Sequence, residues 1–479
     1  MTWETVIGLE VHVQLRTRTK MFCADRTTFG DPPNTNLCPV CLGLPGALPV
    51  PNTEAVRLGA QAALALGCTV HATSVFARKN YFYPDLPKGY QISQFDRPLA
   101  TGGSVTFDSA DRGRVRVGIT RVHLEEDAGK LIHDRFPGKT AVDLNRAGIP
   151  LIEIVSEPDL RSPAEARAYL TTLRQILVYT GVSECSMEQG SLRVDANISI
   201  RATGESRLGV KTEVKNMNSF ANVERALAAE RERQIRLVES GAPVQQVTLL
   251  FNAATGQVKP TRSKEESHDY RYFPDPDLPP LVLERTWIED QRRMLPELPD
   301  AKRSRFEAAY ALSSYDARVI TSEVELAQYF EAVVQAGVDP KLAANWVMGE
   351  VMTTYNDTGR FPVPPSNLAR LIDLVQEGTV SHQAAKRVYV ELAQTPEDHP
   401  RAVAERLGLV QVSDAGALAG WVDEVLAGHP GEVVRFHNGE TKLLAFFVGQ
   451  VMKRSRGKAD PKGVQPVLLE KLQEVKSEK

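Results

Sequence analysis

Apolar and polar positions alternate with period two along residues 6–15, VIGLEVHVQL. Ile7, Leu9, Val11, Val13 and Leu15 fall on one face, and Glu10, His12 and Gln14 on the other, because successive strand side chains point to opposite sides. The pattern predicts a half-buried strand. Residues 191–201, SLRVDANISIR, repeat it, with Leu192, Val194, Ala196, Ile198 and Ile200 set against Arg193, Asp195, Asn197 and Ser199. Residues 210–215, VKTEVK, do so again, with Lys211, Glu213 and Lys215 on the polar side. A helix is expected next, with Asn218 or Ser219 as its N-cap and Gly241 as its stop. In residues 115–127 the alternation runs through Val115, Val117 and Ile119 and then changes phase, so that Val122 and Leu124 become the apolar pair. A phase change inside a strand is what a β-bulge produces, and bulges often re-aim side chains at active sites. Three acids, Glu125, Glu126 and Asp127, follow directly.

The strand-like pattern continues to about residue 290. FPDPDLPPL at 273–281 cannot continue a helix and reads as a boundary. From about residue 295 to 405 the period becomes helical, with the short connections of a helical bundle. Trp346 and Met348, in KLAANWVMGEV, read as core positions without chemistry. The last segment, from about residue 406, is also helical by pattern and ends in a basic stretch. No low-complexity tract or internal repeat interrupts the chain.

With 479 residues, a soft expectation is about three domains and a sizeable core. Hydrophobic content of 42% and charged content of 24% are ordinary for a folded protein. No run of 18 apolar residues occurs, so no membrane span is expected. The opening MTWETVIGLEV lacks the basic and apolar regions of a signal peptide, so it does not read as one. Five cysteines are too few for a disulfide scaffold, which favours a reducing cytoplasm. The net charge of −3 hides an asymmetry. Residues 435–479 hold ten Lys/Arg against five Asp/Glu, a balance of +5, which leaves −8 elsewhere. A basic end on an acidic protein suggests a local contact with phosphate. The plain alternative is a solvated, lysine-rich terminus, and charge by itself favours it.

Cys23, Cys38 and Cys41 lie in FCADRTTFGDPPNTNLCPVC. Zinc needs four tetrahedral ligands, and Asp25 is the nearest fourth after the three cysteines. Buried apolar cysteines in a proline-rich loop are an equal reading. Cys68 and Cys185 read as lone core residues. FPGKT at 136–140 resembles the end of a phosphate-binding loop, but His133 stands where the leading glycine belongs, so that reading is rejected. The carboxylates are more informative. Glu10 and His12 project from one side of a strand, Glu125 and Glu126 follow a bulge, and Asp195 and Glu213 lie on polar faces of later strands. Oxygen-rich sets with one histidine suit Mg²⁺, which commonly bridges substrate phosphates. Any one of these positions alone reads better as solvent-facing; their recurrence on several strands is what argues for a site. FARKNYFYPDLPKGYQISQ at 76–94 carries Arg78, Lys79, Lys88, Tyr81, Tyr83 and Tyr90, which could bind a nucleotide or an RNA end by charge and stacking. Composition alone favours a packed tyrosine-rich loop.

IGLEVHVQL, KNYFYPDLPKGYQISQ, HLEEDAGK, DLNRAGIPLIEIVSEPD, GSLRVDAN, KTEVKNMNSF and DYRYFPDPDLPP resemble the B subunits of bacterial tRNA-dependent amidotransferases, and the likeness extends through WVMGEV to GQVMKRSRGKADP. It covers essentially the whole chain. The resemblance implies an α+β protein: a mixed β-sheet cradle domain at 1–292, a helical domain at 293–405 and a small helical, tRNA-binding tail domain at 406–479. It implies a heterotrimer in which the A subunit, an amidase, releases ammonia from glutamine, with a small C subunit as the third member. It implies ATP and Mg²⁺ as cofactors for phosphorylating the side-chain carboxylate of Glu on tRNA(Gln) or Asp on tRNA(Asn), after which ammonia displaces phosphate. Glu10, His12, Glu125, Glu126 and Glu213 match the family's metal-binding positions, the first four also serving as catalytic residues. Asp195 joins them from the polar-face argument alone. Lys79 and Tyr81 become candidates for contacts near the nucleotide or the acylated end. Lys442, Lys453, Arg454, Arg456 and Lys458 become candidates for tRNA phosphates. Some relatives carry CxC…CxxC, and Asp25 stands here in place of the second cysteine, which puts zinc in question without touching the phosphoryl chemistry. Two other readings stand beside this one: a non-catalytic tRNA-binding scaffold within the same assembly, and a free-standing amide ligase.

Overall fold

The strand foreseen at residues 6–15 is the middle of a sheet. The computed structural model describes residues 2–260, 270–411, 415–455 and 459–477. The strands that position the site are, in chain order, β1 (Trp3–Gln14), β2 (Ala77–Asn80), β3 (Tyr90–Ser93), β4 (Gly113–Glu126), β5 (Pro150–Ser156), β6 (Leu192–Ala202), β7 (Thr212–Lys215), β8 (Thr248–Asn252) and β9 (Gln257–Pro260). Among the described residues the main sheet has ten strands, in the order β9-β8-β7-β6-β1-β5-β4, then Ala100–Thr101 and Thr69–Val70, with Ser104–Ser109 also paired to β4. All pairings are antiparallel except β7 with β8. The sheet is therefore mixed.

One face of this sheet is apolar and the other polar, as the alternation requires. Ile7, Leu9, Val11 and Val13 of β1, Ile152 and Ile154 of β5, and Ala196 and Ile198 of β6 are all fully buried in one core. Three helices cover that face: α1 (Thr53–Ala65), α2 (Pro163–Tyr179) and α3 (Phe220–Glu239). The Asn52 side chain caps α1 by accepting from the N–H groups of Glu54 and Ala55. α3 starts where expected: Ser219 accepts from the Asn222 N–H, and Gly241 follows the last turn at φ 78°. α1 packs on β4 at a glycine. A side chain on Gly59 would come within 2.9 Å of Leu124 and 3.2 Å of Leu99.

The foreseen bulge is present. Val155 pairs with Arg121 but the next residue, Ser156, pairs with Ile119, so Thr120 is the extra residue in β4. A two-residue-period strand that gains one residue reverses its faces. Val117 and Ile119 are buried before the bulge, Val122 and Leu124 after it.

The proline-rich stretch 273–281 does not divide the chain. Phe273–Pro274 pairs with β2, and Leu281–Val282 pairs with Thr73–Ser74. Its prolines exclude a helix but not short edge pairings, which leave their missing N–H groups unneeded. The chain separates into compact units at Met1–Pro299 and Asp300–Lys479. In the second unit, the described residues form helices around two separate apolar clusters. One gathers Phe306, Phe330, Trp346, Leu371 and Tyr389, with Met348 packed against it; the other gathers Leu418, Val422, Phe447, Val451 and Leu468. Among the described residues no helix is long and apolar enough to cross a membrane.

The close approach at Gly59 gives a stability test. Gly59→Val should lower the urea midpoint of the chain by the equivalent of about 1–3 kcal/mol, the usual cost of forcing extra methyl groups into a filled core. An unchanged midpoint would mean that α1 is free to lift from β4.

Candidate active site

The polar face of the sheet places side chains in rows set by register. Glu153 of β5 pairs with His12 of β1 on one side and His123 of β4 on the other, and His12 pairs with Arg193 of β6. One step along, Glu10 pairs with Asp195. After the bulge, β4 turns His123 and Glu125 to this face. The two carboxylates and two imidazoles alternate. His12 Nε2 lies 3.6 Å from Glu125 Oε1 and 3.3 Å from Glu153 Oε2; His123 Nε2 lies 3.6 Å from Glu125 Oε2 and 3.5 Å from Glu153 Oε2.

These groups are buried except for His12, which is partly open. Burial alone would push His123 toward neutrality, but the hydrogen bonds and charges of Glu125 and Glu153 outweigh it and lift its pKa to about 9. His12 is raised in the same way against burial, by its hydrogen bond to Glu153 and the charge of Glu125. Burial would raise both carboxylates, yet the imidazoles hold Glu125 below the usual range and Glu153 well below it. One buried nitrogen, His123 Nδ1, has no hydrogen-bond partner among the described residues. One donor atom each from His12, Glu125 and Glu153 lies within 4.8 Å of the others. One imidazole nitrogen with two carboxylate oxygens is a donor set suited to Mg²⁺ or Mn²⁺.

The remaining carboxylates of the face form an adjoining group. Asn197 Nδ2 donates to Glu10 Oε1 at 3.1 Å. Lys215 Nζ donates to Asp195 Oδ2 at 2.7 Å and lies 3.0 Å from Glu213 Oε1. Asp195 and Glu213 thus already hold a cation of the protein's own. Glu10 is pushed up by burial and then by the charges of Glu153, Asp195 and Glu213.

Glu126 is not brought to this face, because neighbouring residues of a strand point opposite ways. It pairs with Lys88, and its Oε1 accepts from the Ile92 N–H at 2.9 Å. Asp127 accepts from Gln14 Nε2 at 2.9 Å and Arg193 Nη2 at 2.8 Å, tying β4 to β1 and β6. Lys79 extends from β2, its Nζ 4.7 Å from the Tyr270 ring centre and 5.9 Å from that of Tyr81. Burial opposes its charge, but Glu125 and the nearby tyrosines hold its pKa above the ordinary value.

The cysteines also converge. Cys41 Sγ lies 2.9 Å from Asp25 Oδ2 and 3.4 Å from Cys23 Sγ, and Cys38 Sγ is 3.8 Å away. Donor atoms of Cys23, Asp25, Cys38 and Cys41 lie within 4.8 Å of one another, a spread a tetrahedral ion could close. The hydrogen bond from Cys23 and the charge of buried Lys20, against burial and Asp25, bring the Cys41 thiol down to about 7. Cys68 and Cys185 are buried singly. In the second unit, Lys442, Lys453 and Arg454 are exposed, with Arg454 Nε 2.6 Å from Glu424. Arg456 and Lys458 lie outside the described residues.

Sequence reasoning gave no role to His123, Glu153, Lys215, Tyr270 or Tyr272. A usable signal existed for Glu153: it is the one charge inside the apolar run PLIEIV. An acid at such a position needs a partner.

Comparison with known proteins matches residues 5–289 to the GatB/GatE catalytic domain and residues 328–472 to the GatB domain. Among similar curated proteins, the B subunit of the aspartyl/glutamyl-tRNA(Asn/Gln) amidotransferase of Geobacter sulfurreducens is 52% identical over 98% of this chain and 100% of its own length. The B subunit of the same name from Moorella thermoacetica is 53% identical over 98% and 100%, respectively.

The raised His123 pKa sets a pH dependence. Below the unfolded histidine value of about 6.5, the folded and unfolded states are both protonated and the pairing contributes fully. As pH rises through about 9, the folded state loses the proton and that contribution disappears. In chelator, the wild-type chain should therefore lose on the order of 2 kcal/mol of stability across this window relative to His123→Asn, read from urea unfolding at several pH values. Parallel pH profiles for the two proteins would contradict the charged pairing.

Proposed function

The chain belongs to the GatB family of aminoacyl-tRNA amidotransferase subunits, and on that premise we propose that it activates a side-chain carboxylate on misacylated tRNA and converts it to an amide. The substrate is Glu on tRNA(Gln), Asp on tRNA(Asn), or both. The observation that carries this reading is the convergence of His12, Glu125 and Glu153 on one face, where the charges of Glu125 and Glu153 also act on Lys79.

A carboxylate is a poor acyl donor because its oxygen leaves badly. In the proposed reaction one of its oxygens attacks the γ-phosphorus of ATP, the bond to the bridging oxygen breaks, and ADP leaves. Ammonia then attacks the acyl carbon, the bond to phosphate breaks, and the surplus proton passes to a base. Magnesium held by His12, Glu125 and Glu153 would supply positive charge to the phosphoryl oxygens. Lys79 adds a second, fixed positive charge, and positioning plus charge neutralisation is most of what phosphoryl transfer asks of a protein. Lys215 pairs with both Asp195 and Glu213 beside the site and offsets one of their two negative charges. Glu10, with its pKa raised by burial and its acidic neighbours, is suited to accept the proton that ammonia sheds. A mere scaffold would have no use for two buried carboxylates and two imidazoles, which are expensive to desolvate.

The partners in this reading are an amidase that supplies ammonia (the A subunit), the small C subunit, and the tRNA, in the cytoplasm. Lys442, Lys453 and Arg454 would meet tRNA phosphates. Zinc at Cys23, Asp25, Cys38 and Cys41 would staple the loop that carries them.

In the assembled complex, His12→Ala and Glu153→Gln should each lower ATP-dependent phosphorylation of the aminoacyl group at least about 100-fold while ammonia release from glutamine continues. Wild-type rates in either variant would refute the assignment. Metal analysis of chain purified without chelator should find about one zinc per chain, reduced by Asp25→Ala. No zinc in the wild type would return the cysteines to plain packing.

A further inference from the structure

A run of aromatic rings leads outward from Lys79 and has no part in the chemistry above. Tyr81 meets Tyr270 edge to face at 5.9 Å, and Tyr270 meets Tyr272 edge to face at 6.0 Å. The run ends differently. Tyr272 and Phe95 stack with ring centres 4.2 Å apart and planes 5° from parallel, and Phe95 remains 42% exposed. A ring that only filled a core would be covered. This one presents a flat aromatic surface to solvent at the rim of the site.

The local backbone holds that surface in place. Gln94, just before Phe95, is buried: its Oε1 accepts from the N–H groups of Leu99 and Leu124, and its Nε2 donates to Ser74. Phe95 follows directly on this anchored residue, and its ring stays open to solvent. On the other side, Asn80 Nδ2 donates to the carbonyls of Tyr270 at 3.2 Å and Arg271 at 2.8 Å, and the Asn80 N–H donates to Tyr270 O. Arg271 sits between the two tyrosines at φ 44°, a conformation that is unfavourable for a residue with a side chain. Such strain persists only where the surroundings impose it, and it concentrates at functional sites. Phe273, the next residue after Tyr272, pairs with Arg78 of β2. β2 also carries Lys79, so the cation and the stack are fixed to one strand pair.

We propose that the Phe95–Tyr272 stack is a subsite for an adenine ring, placed so that the anionic or acylated end of the same ligand reaches Lys79 and the His12–Glu125–Glu153 group. This rests on the function proposed above, whose two substrates both present adenosine: ATP, and the 3′-terminal nucleotide of the tRNA. Stacking on an aromatic face suits either source, because it reads the plane of the base.

The test uses the assembled complex and separates planarity from apolar cover. KM is measured for ATP at saturating misacylated tRNA, and for misacylated tRNA at saturating ATP, in Phe95→Ala, Phe95→Leu and Phe95→Trp. Leucine keeps apolar cover but cannot stack; tryptophan stacks. The alanine and leucine variants should raise one KM about tenfold, with a smaller change in kcat, while tryptophan stays within about twofold of wild type. A rise confined to ATP assigns the adenine of the nucleotide, and a rise confined to tRNA assigns the terminal adenosine. Wild-type KM values for both substrates in the leucine variant would overturn the subsite alone. A wild-type complex whose amidation needs no ATP would overturn the proposed function and this subsite with it.

Discussion

Everything at this site depends on keeping two carboxylates charged inside a protein. Glu125 and Glu153 are almost wholly buried, and an isolated buried carboxylate would give up its charge rather than bear the cost of desolvation. The chain solves this by placing an imidazole on either side. The solution is a matter of sheet register: Glu153 lies on a strand whose two neighbours present His12 and His123 at the same level. Helix packing, capping and the sheet order serve to hold three strands in that alignment.

The alignment hangs on a single extra residue. Without Thr120, the second half of β4 would be inverted, with Val122 and Leu124 on the polar face and His123 and Glu125 in the core. The bulge lets one strand serve the apolar core first with Val117 and Ile119, then with Val122 and Leu124. It also delivers His123 and Glu125 to the other side. A local irregularity that would weaken an ordinary strand here allows buried charge and a continuous apolar face to coexist.

This explains which parts of the site are legible in the sequence. Period counting finds β1, β6 and β7, the Ser219 cap and the bulge, because each is a property of a few adjacent residues. It also finds Glu10, His12, Asp195 and Glu213 as polar-face residues, and Glu125 as one of the acids that follow the bulge. Grouping Glu125 with Glu126 overlooks the same period that identifies the strand. Glu153 is signalled only as a lone charge in the apolar run PLIEIV, and the residues it meets, His12 and His123, come from other strands. Tyr270 and Tyr272 reach Lys79 from about 190 residues away, a distance at which no local pattern operates. The proline-rich stretch that brings them back looks like a boundary because proline excludes helix, whereas short edge pairings tolerate it.

Glu126, turned away from the metal-type group, has a consequence of its own. Its carboxylate accepts from the Ile92 N–H, pairs with Lys88, and its carbonyl accepts from Gln91 Nε2 at 2.7 Å, so it fastens β3 to the end of β4. β3 pairs with β2, with Gln91 opposite Lys79. The position of the site's lysine is therefore set through Glu126, one residue from the carboxylate that Lys79 faces. Lys88 is fixed in turn by the cysteine loop. Gly43 ends the short helix Pro39–Leu42 at φ 63°, and a side chain there would come within 2.6 Å of Lys88 Cγ. The two adjacent acids thus have complementary roles. Glu125 forms the charged centre, and Glu126 holds the hairpin that brings a cation to it.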